Sequence, residues 1–285
     1  MDDFSLKDIL AVVVIYNTNF TDCITLSTIN ANKFESGEKI DFIVYDNSHI
    51  PQNPSSLLEY SNLNCEYFFD TDNPGVSKAY NYGASQAIIK NKKYILLLDQ
   101  DTKFPNDSLL KYLSSINSHK DSSLFCPILK TNHGIYSPSN YYFRRGTNWK
   151  DAKPGIYSLK NKSALNSGLL VNVSSYLLVG GYNEKIKLYF SDFDFINRFR
   201  TIVNQVVVID LVCWHSLSDI DKTDLLSAIS RFRHYVNGAY YSIYNFVDWL
   251  YTFITILLRA IKLSFKFRNF LFVKIFFSKF IFNVK

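Results

Sequence analysis

The chain has 285 residues, enough for one large α/β domain with an appendage or for two small domains. No stretch of 20 apolar residues is free of charge, and the acidic start "MDDFSLKDIL" lacks a basic segment before an apolar run, so neither a simple membrane span nor a signal peptide is expected. Cys23, Cys65, Cys126 and Cys213 are widely spaced without a CxxC pair, which argues against a structural zinc or disulfide framework and for buried thiols in a cytoplasmic protein. The net charge of +6 is uneven: residues 249 to 285 carry seven Lys/Arg and no Asp/Glu, while the preceding part is close to neutral. That balance speaks against a nucleic-acid-binding core and for a specialised tail.

In chain order, "ILAVVVIYN" (9–17) is a continuous β-branched run, as in a strand buried on both faces of a parallel sheet. Thr18 to Asp22 can cap a helix running to about Phe34. "DFIVYDNS" (41–48), "CEYFFD" (65–70) and "YILLLD" (94–99) read as further strands. Between the last two, Pro74 and Gly75 make a turn into a helix whose Val76, Ala79, Gly83 and Ala87 form a stripe of small residues suited to close approach. The middle, about 120–165, has weak periodicity and reads as loops and short strands. "NSGLLVNVSSYLLVGGYNEKI" (166–186) predicts a short strand, a helical turn and a Gly-Gly break; "YFSDFDFINRFRT" (189–201) predicts a loop entering a helix; "QVVVIDLVCWHS" (205–216) predicts another buried strand.

This βαβ alternation predicts an open, mostly parallel sheet, in which ligands bind beyond the carboxyl ends of the strands. Tyr16-Asn17, Asp46-Asn47-Ser48, Asp70 and Asp99-Gln100-Asp101 are therefore expected along one edge. Two carboxylates one residue apart at a strand end repel unless a cation or donors hold them. A hard divalent cation with oxygen ligands suits Asp99 and Asp101, and with a diphosphate it neutralises charge on a phosphate leaving group. Asp192 and Asp194 form a second acidic pair. A helix cap accounts for one of them, and the other is available as a general base. His215 ends an apolar strand and is either a satisfied structural histidine or a ligand. There is no GxGxxG after the first strand and no GxxxxGK[ST], so the dinucleotide and P-loop readings lose their main support.

The order "VVVIYN", "YDNS", "NPGVSKAYNYG", "LLLDQD", "NSGLLV", "VGGYNEKIKLYFSDFD" and "WHSLSD" resembles the inverting glycosyltransferases of family 2, of the GT-A fold, over about residues 9 to 218. It is most similar to the rhamnosyltransferase-like branch that builds bacterial surface polysaccharides. The resemblance implies a nucleotide pocket lined by Tyr16 and Asn17, with Asp46 on the base or ribose, Asn73, Gly75 and Asn81 beside the nucleotide, and Asn166, Ser167 and Gly168 near the sugar and acceptor. It implies that Asp99 touches the ribose or metal, that Gln100 is among the nucleotide-sugar contacts, and that Asp101 binds Mn²⁺ or Mg²⁺ bridging the diphosphate, with His215 near the metal. The catalytic base is implied at Asp192 or Asp194, with Asp192 the matching position; the family usually has Glu-Asp or a wider spacing there.

From Trp249 to Lys285 the chain holds eleven aromatic residues, too many to leave in water. Arg259, Lys262 and Lys266 fall on one helical face, with Ile254, Leu257, Ile261 and Phe265 set opposite. The tail reads as a helical cap, a homo-oligomer contact, or an interfacial helix on an anionic membrane leaflet. The expected organisation is a GT-A transferase domain over 1–248 and a membrane-associating helical tail over 249–285. The expected partners are a UDP- or dTDP-linked sugar donor and a lipid-linked saccharide acceptor at the inner face of the cytoplasmic membrane, with no nucleic acid. The rival readings are a sugar-nucleotide pyrophosphorylase, disfavoured because "IYNTNFTD" lacks a Gly/Arg/Lys-rich loop, and a non-catalytic scaffold of polysaccharide assembly, which has no need of two acidic pairs.

Overall fold

The computed structural model describes residues 3–32, 34, 37–216 and 224–281. Leu217, Ser218 and Asp219 of the expected "WHSLSD" motif, and the chain end from residue 282, lie outside the described residues. The N-terminal half runs β1 (Ile9–Ile15), α1 (Ile24–Asn30), β2 (Ile40–Asp46), β3 (Leu63–Phe69), α2 (Val76–Ile89), β4 (Tyr94–Asp99), β5 (Thr102–Lys103) and α3 (Ser108–Ser118). It continues through β6 (Leu124–Thr131), β7 (Gly134–Ser137), β8 (Ser139–Tyr142), β9 (Arg145–Asn148), β10 (Gly155–Ser158), β11 (Lys162–Ser163) and β12 (Leu169–Asn172). Then follow α4 (Val173–Leu178), α5 (Ser191–Phe199), β13 (Gln205–His215), α6 (Leu225–Tyr241), α7 (Phe246–Phe267) and α8 (Leu271–Phe280).

The main sheet has the order β10-β13-β6-β12-β4-β1-β2-β3, with β5 on β13 and β7 on β6. Strands β3, β2, β1 and β4 are parallel; β12 runs against both β4 and β6, and β13 is parallel to β6. All seven residues of β1 are buried, because helices cover both faces of the sheet. Ile9, Ala11, Val13 and Ile15 pack with Leu26 and Ile29 of α1 and Leu109, Tyr112 and Ile116 of α3. Leu10, Val12 and Val14 pack on the other face with Ala79, Ala84 and Ala87 of α2 and with α4 and α5. The small stripe of α2 serves that approach: a Cβ on Gly83 would lie 2.6 Å from Cγ2 of Val12.

The middle region is more regular than its composition predicted. β6 is an eight-residue strand in the centre of the sheet despite Pro127, which has no N–H to donate. Its neighbour β13 accommodates this with a bulge: the register passes from Val208↔Cys126 to Val212↔Ile128, so the strand is irregular where it passes the proline. The helix expected to follow a Thr18–Asp22 cap and run to about Phe34 is α1, preceded by a 3-10 turn at Phe20–Asp22 and ending earlier, at Asn30.

Helices α6, α7 and α8 share a separate core of Phe232, Val236, Ile256, Ala260, Phe272 and Phe276, to which the segment before α5 contributes Ile186 and Phe190. The division at 248/249 expected from composition falls inside α7.

Candidate active site

The topology brings the polar strand ends to one edge. In register, Ile15 lies beside Asp46, Asp46 beside Phe69, and Val14 beside Asp99. Because β12 is antiparallel, its entry rather than its exit lies there: Asn166, Ser167 and Gly168 arrive at the carboxyl end of β4, with Gly168 N–H donating to Leu97 O at 2.8 Å. Gly168 has φ +80°, and a Cβ would meet Pro127 at 2.6 Å, so both backbone and space require glycine.

Along this edge, a chain of hydroxyls links Asp99 to His215. Ser167 Oγ accepts from Asp99 N–H at 3.4 Å and lies 2.7 Å from Thr102 Oγ1, which lies 2.8 Å from His215 Nδ1. Asp99 itself accepts from Tyr80 Oη at 2.8 Å. Asp101 Oδ1 lies 3.5 Å from His215 Nδ1 but is buried and lacks a hydrogen-bond partner. Burial, and secondarily the charge of Asp99, push the Asp101 carboxyl above the usual carboxylate range, and His215 offsets part of that rise. Among the described residues no group of three or more His, Cys, Asp or Glu side chains converges to hold a metal ion. Asp101 Oδ1, a buried carboxylate oxygen without a partner beside His215, fits one ligand position of a divalent cation, and phosphate oxygens and water would have to supply most of the others.

Other residues expected at the nucleotide are held in place by one another. Tyr16 N–H donates to Gln100 Oε1 at 2.7 Å, and Asn17 N–H donates to Ser48 Oγ at 2.8 Å. The Tyr16 ring is exposed and its Oη is 3.3 Å from His49 Nε2. Asp46 is fully buried: it accepts from Ser48 N–H and Tyr67 Oη, both at 2.8 Å, and so shapes the 46–52 loop from within. Asn73 adopts φ 42° in the turn that leads to Gly75. At Gly75, φ is +93° and a Cβ would lie 2.1 Å from Lys187 O, so the start of α2 touches the backbone just ahead of α5. Asn81 is spent on the same junction, accepting from Tyr176 Oη and Tyr182 N–H and donating to Tyr182 O and Glu184 Oε1. Asn166 accepts from Tyr182 Oη at 2.7 Å and donates to Ser191 Oγ at 3.4 Å.

The opposite wall is the first turn of α5. It begins after Phe190, a non-glycine residue in the left-handed region (φ 73°), whose buried ring lies 4.9 Å from Tyr235 of the helical core. The two carboxylates on this turn differ. Asp194 is buried and committed: Oδ2 pairs with Arg198 at 2.9 Å and Oδ1 accepts from Tyr244 Oη at 2.7 Å. Asp192 is partly buried and accepts backbone N–H groups of its own turn, that of Phe193 at 2.8 Å, with no ion pair among the described residues. Burial, reinforced by the charge of Asp99, pushes its carboxyl up to about 7. Tyr136 links the walls: its ring lies parallel to His215 at 6.2 Å, and burial and the charge of Asp192 raise its hydroxyl's pKa.

Three contributors were absent from the sequence reading. Thr102 follows "DQD" directly, and its position at a strand end was the available signal. Tyr136 and Tyr244 lie in segments whose positions depend on tertiary packing, and no local pattern marks them.

This edge and wall define a GT-A glycosyltransferase fold. Mannosyltransferase PcManGT from Pyrobaculum calidifontis, in complex with GDP-Man and Mn²⁺, superposes with a TM-score of 0.59 at 11% identity, covering 98% of this chain and 88% of that one. S. aureus TarS gives 0.58 at 18% identity over 90% of this chain and 44% of its own length. GalNAc-T7 with UDP, GalNAc and Mn²⁺ gives 0.56 at 10% identity, covering 79% of this chain and 48% of that one. The chain thus spans less than half the length of TarS and GalNAc-T7. Comparison with curated protein sequences finds no match. The profile of Glycosyl transferase family 2 matches residues 11–176, more than half of the chain, and the protein belongs to that family.

Proposed function

We propose that this chain is an inverting, metal-dependent glycosyltransferase. It moves a hexosyl or rhamnosyl group from a UDP- or dTDP-sugar to a lipid-linked saccharide at the inner face of the cytoplasmic membrane, in assembly of an O-antigen- or capsule-type polysaccharide. The observation that carries the reading is the contrast within α5: Asp194 is neutralised by Arg198, whereas Asp192 faces the acidic strand edge with its carboxyl held near 7. A base with that poise is half-ionised at neutral pH and accepts a proton without being a strong resting charge.

In the mechanism, Asp192 takes the proton of an acceptor hydroxyl as that oxygen bonds to the anomeric carbon. The bond from that carbon to the diphosphate oxygen breaks on the opposite face, and the nucleoside diphosphate carries away the electron pair. Attack opposite the leaving group inverts the anomeric centre. A cation held by Asp101, Asp99 and His215 would supply neutralisation of the leaving diphosphate. Asn166 and Ser167, fixed by Tyr182 and Thr102, border the space between base and donor.

Calorimetric binding of UDP-, dTDP- and GDP-sugars with Mn²⁺ or EDTA, alongside nucleotide release, tests this. The expectation is one donor class bound only with metal, binding lost in Asp101→Ala, and binding kept but turnover lost in Asp192→Asn. Failure of every donor to bind with or without metal would leave a non-catalytic scaffold as the better account.

A further inference from the structure

Helix α7 is apolar on two opposite faces. One face, with Ile256 and Ala260 at its centre, is buried against α6 and α8. The other carries Val247, Leu250, Ile254, Leu258, Ile261 and Phe265, spaced by three or four residues and therefore aligned on one stripe. All six are exposed, Phe265 to 80%, Val247 to 58% and Leu258 to 56%. At 22 residues the helix is about 33 Å long, so the stripe is continuous over a length no solitary surface leucine would explain. No described helix is long and apolar enough to cross a membrane, and the inner face of α7 is already occupied by protein.

Charge selects the occupant. Lys262 and Lys266 flank the stripe and are exposed, and no acidic residue follows Asp248 in the chain. An anionic lipid surface accepts both the apolar stripe and its basic flank. The same flank carries Arg259, whose guanidinium lies 3.9 Å over the Tyr235 ring. Tyr235 packs on Tyr189 and Phe190, the residues that lead into the Asp192 turn.

We propose that the outer face of α7 is the surface on which the chain lies against an anionic bilayer, with the Arg259–Lys262–Lys266 flank at headgroup depth on the side of the catalytic cleft. This deepens the lipid-linked acceptor reading and rests on it for its biological use. Docked this way, the protein presents the Asp192 wall to an acceptor anchored in the same leaflet.

The test is flotation of the full chain with vesicles of phosphatidylcholine and phosphatidylglycerol, and with vesicles of phosphatidylcholine alone. Wild type is expected to float with the anionic vesicles and less with the neutral ones. The triple substitution Ile254→Ser, Leu258→Ser, Phe265→Ser is expected to stay at the bottom while keeping a cooperative melting transition, since all three side chains lie on the exposed face of α7. Lys262→Ala with Lys266→Ala is expected to weaken partitioning by roughly fivefold for each charge removed, and added salt to do the same to wild type. Wild type that does not float, or a serine variant that floats as well as wild type, overturns the proposal. So does a lipid-free wild-type dimer that the serine substitutions convert to monomer, which would make the stripe a self-interface. Donor binding measured on the same samples fails independently: its absence sinks the transferase reading and leaves the flotation result standing.

Discussion

The two walls of the cleft are built on different principles. On the strand-edge wall, most polar side chains are already satisfied by their neighbours: Asp46 by Ser48 and Tyr67, Asp99 by Tyr80, Gln100 by Tyr16. That wall is a largely fixed frame, in which Asn47 Oδ1 and Asp101 Oδ1 are buried without a hydrogen-bond partner among the described residues. The α5 wall leaves Asp192 loosely engaged and fastens everything around it, with Asp194 tied to Arg198 and Tyr244, and Phe193 stacked on Tyr141 at 5.1 Å. The contrast shows how one site holds a rigid acidic edge and a titratable carboxyl together: the edge is fixed by hydrogen bonds, and the Asp192 carboxyl is raised by burial.

Breaking the α5 wall at its reactive atom should give the largest effect. Asp192→Asn is expected to lower kcat by about 10²–10⁴-fold, the range of a positioned general base, while leaving donor affinity unchanged in calorimetry. Wild-type kcat/KM should rise with pH through about 7, as the Asp192 carboxyl of the free protein ionises, and level off above it. The stability consequence has the opposite sign. The folded state holds this proton more tightly than the unfolded chain, so Asp192 costs stability progressively as pH rises from the ordinary carboxylate range to beyond 7. Asp192→Asn should therefore melt higher than wild type at pH 8 and alike at pH 4, by an amount of the order of 1–4 kcal/mol at most.

Its neighbour two residues on should behave in reverse. Asp194→Ala removes the partner of Arg198 and the acceptor of Tyr244 inside a buried contact, and an expected loss of about 3 kcal/mol would appear as a lower chemical-denaturation midpoint at neutral pH. If instead Asp194→Ala is stable and inactive while Asp192→Asn turns over, the base lies at Asp194. Gly75→Ala probes where the walls meet. With φ +93° and Lys187 O at 2.1 Å from the new Cβ, the backbone must shift, and a destabilisation of about 2–3 kcal/mol together with weaker donor binding is expected.

The strand-edge wall was largely legible in the sequence, because a parallel sheet buried on both faces writes itself as β-branched runs that end abruptly in polar residues. Observed β1, β2, β3, β4 and β13 fall within about two residues of the predicted runs. β6 was hidden by Pro127, whose missing donor is absorbed by a bulge in β13, a compensation that lies more than eighty residues away in sequence. The different fates of Asp192 and Asp194 were equally invisible: Arg198 is one helical turn away and could be guessed, but the Tyr244 hydroxyl comes from fifty residues downstream. In the tail, Ile254, Ile261 and Phe265 are exposed while Leu257 is partly buried with the helical core; a sequence apolar on two faces does not say which one the protein covers.

The smallest perturbation tests whether the helical core and the base are coupled. Tyr244→Phe removes one hydroxyl and leaves the ring, so Asp194 Oδ1 loses its donor but keeps its charge partner on Oδ2. A neutral hydroxyl to a charged acceptor contributes about 1–2 kcal/mol, which for a chain of this size lowers Tm by a few degrees. The Tyr244 hydroxyl, pushed up to about 12 by burial and by Asp194, stays protonated throughout the working range, so this loss should not vary between pH 6 and 9. If the bond also holds the first turn of α5 in place, the pH at which kcat/KM is half-maximal should shift with it. An unchanged pH profile would confine Tyr244 to stability and leave burial alone to set the poise of Asp192.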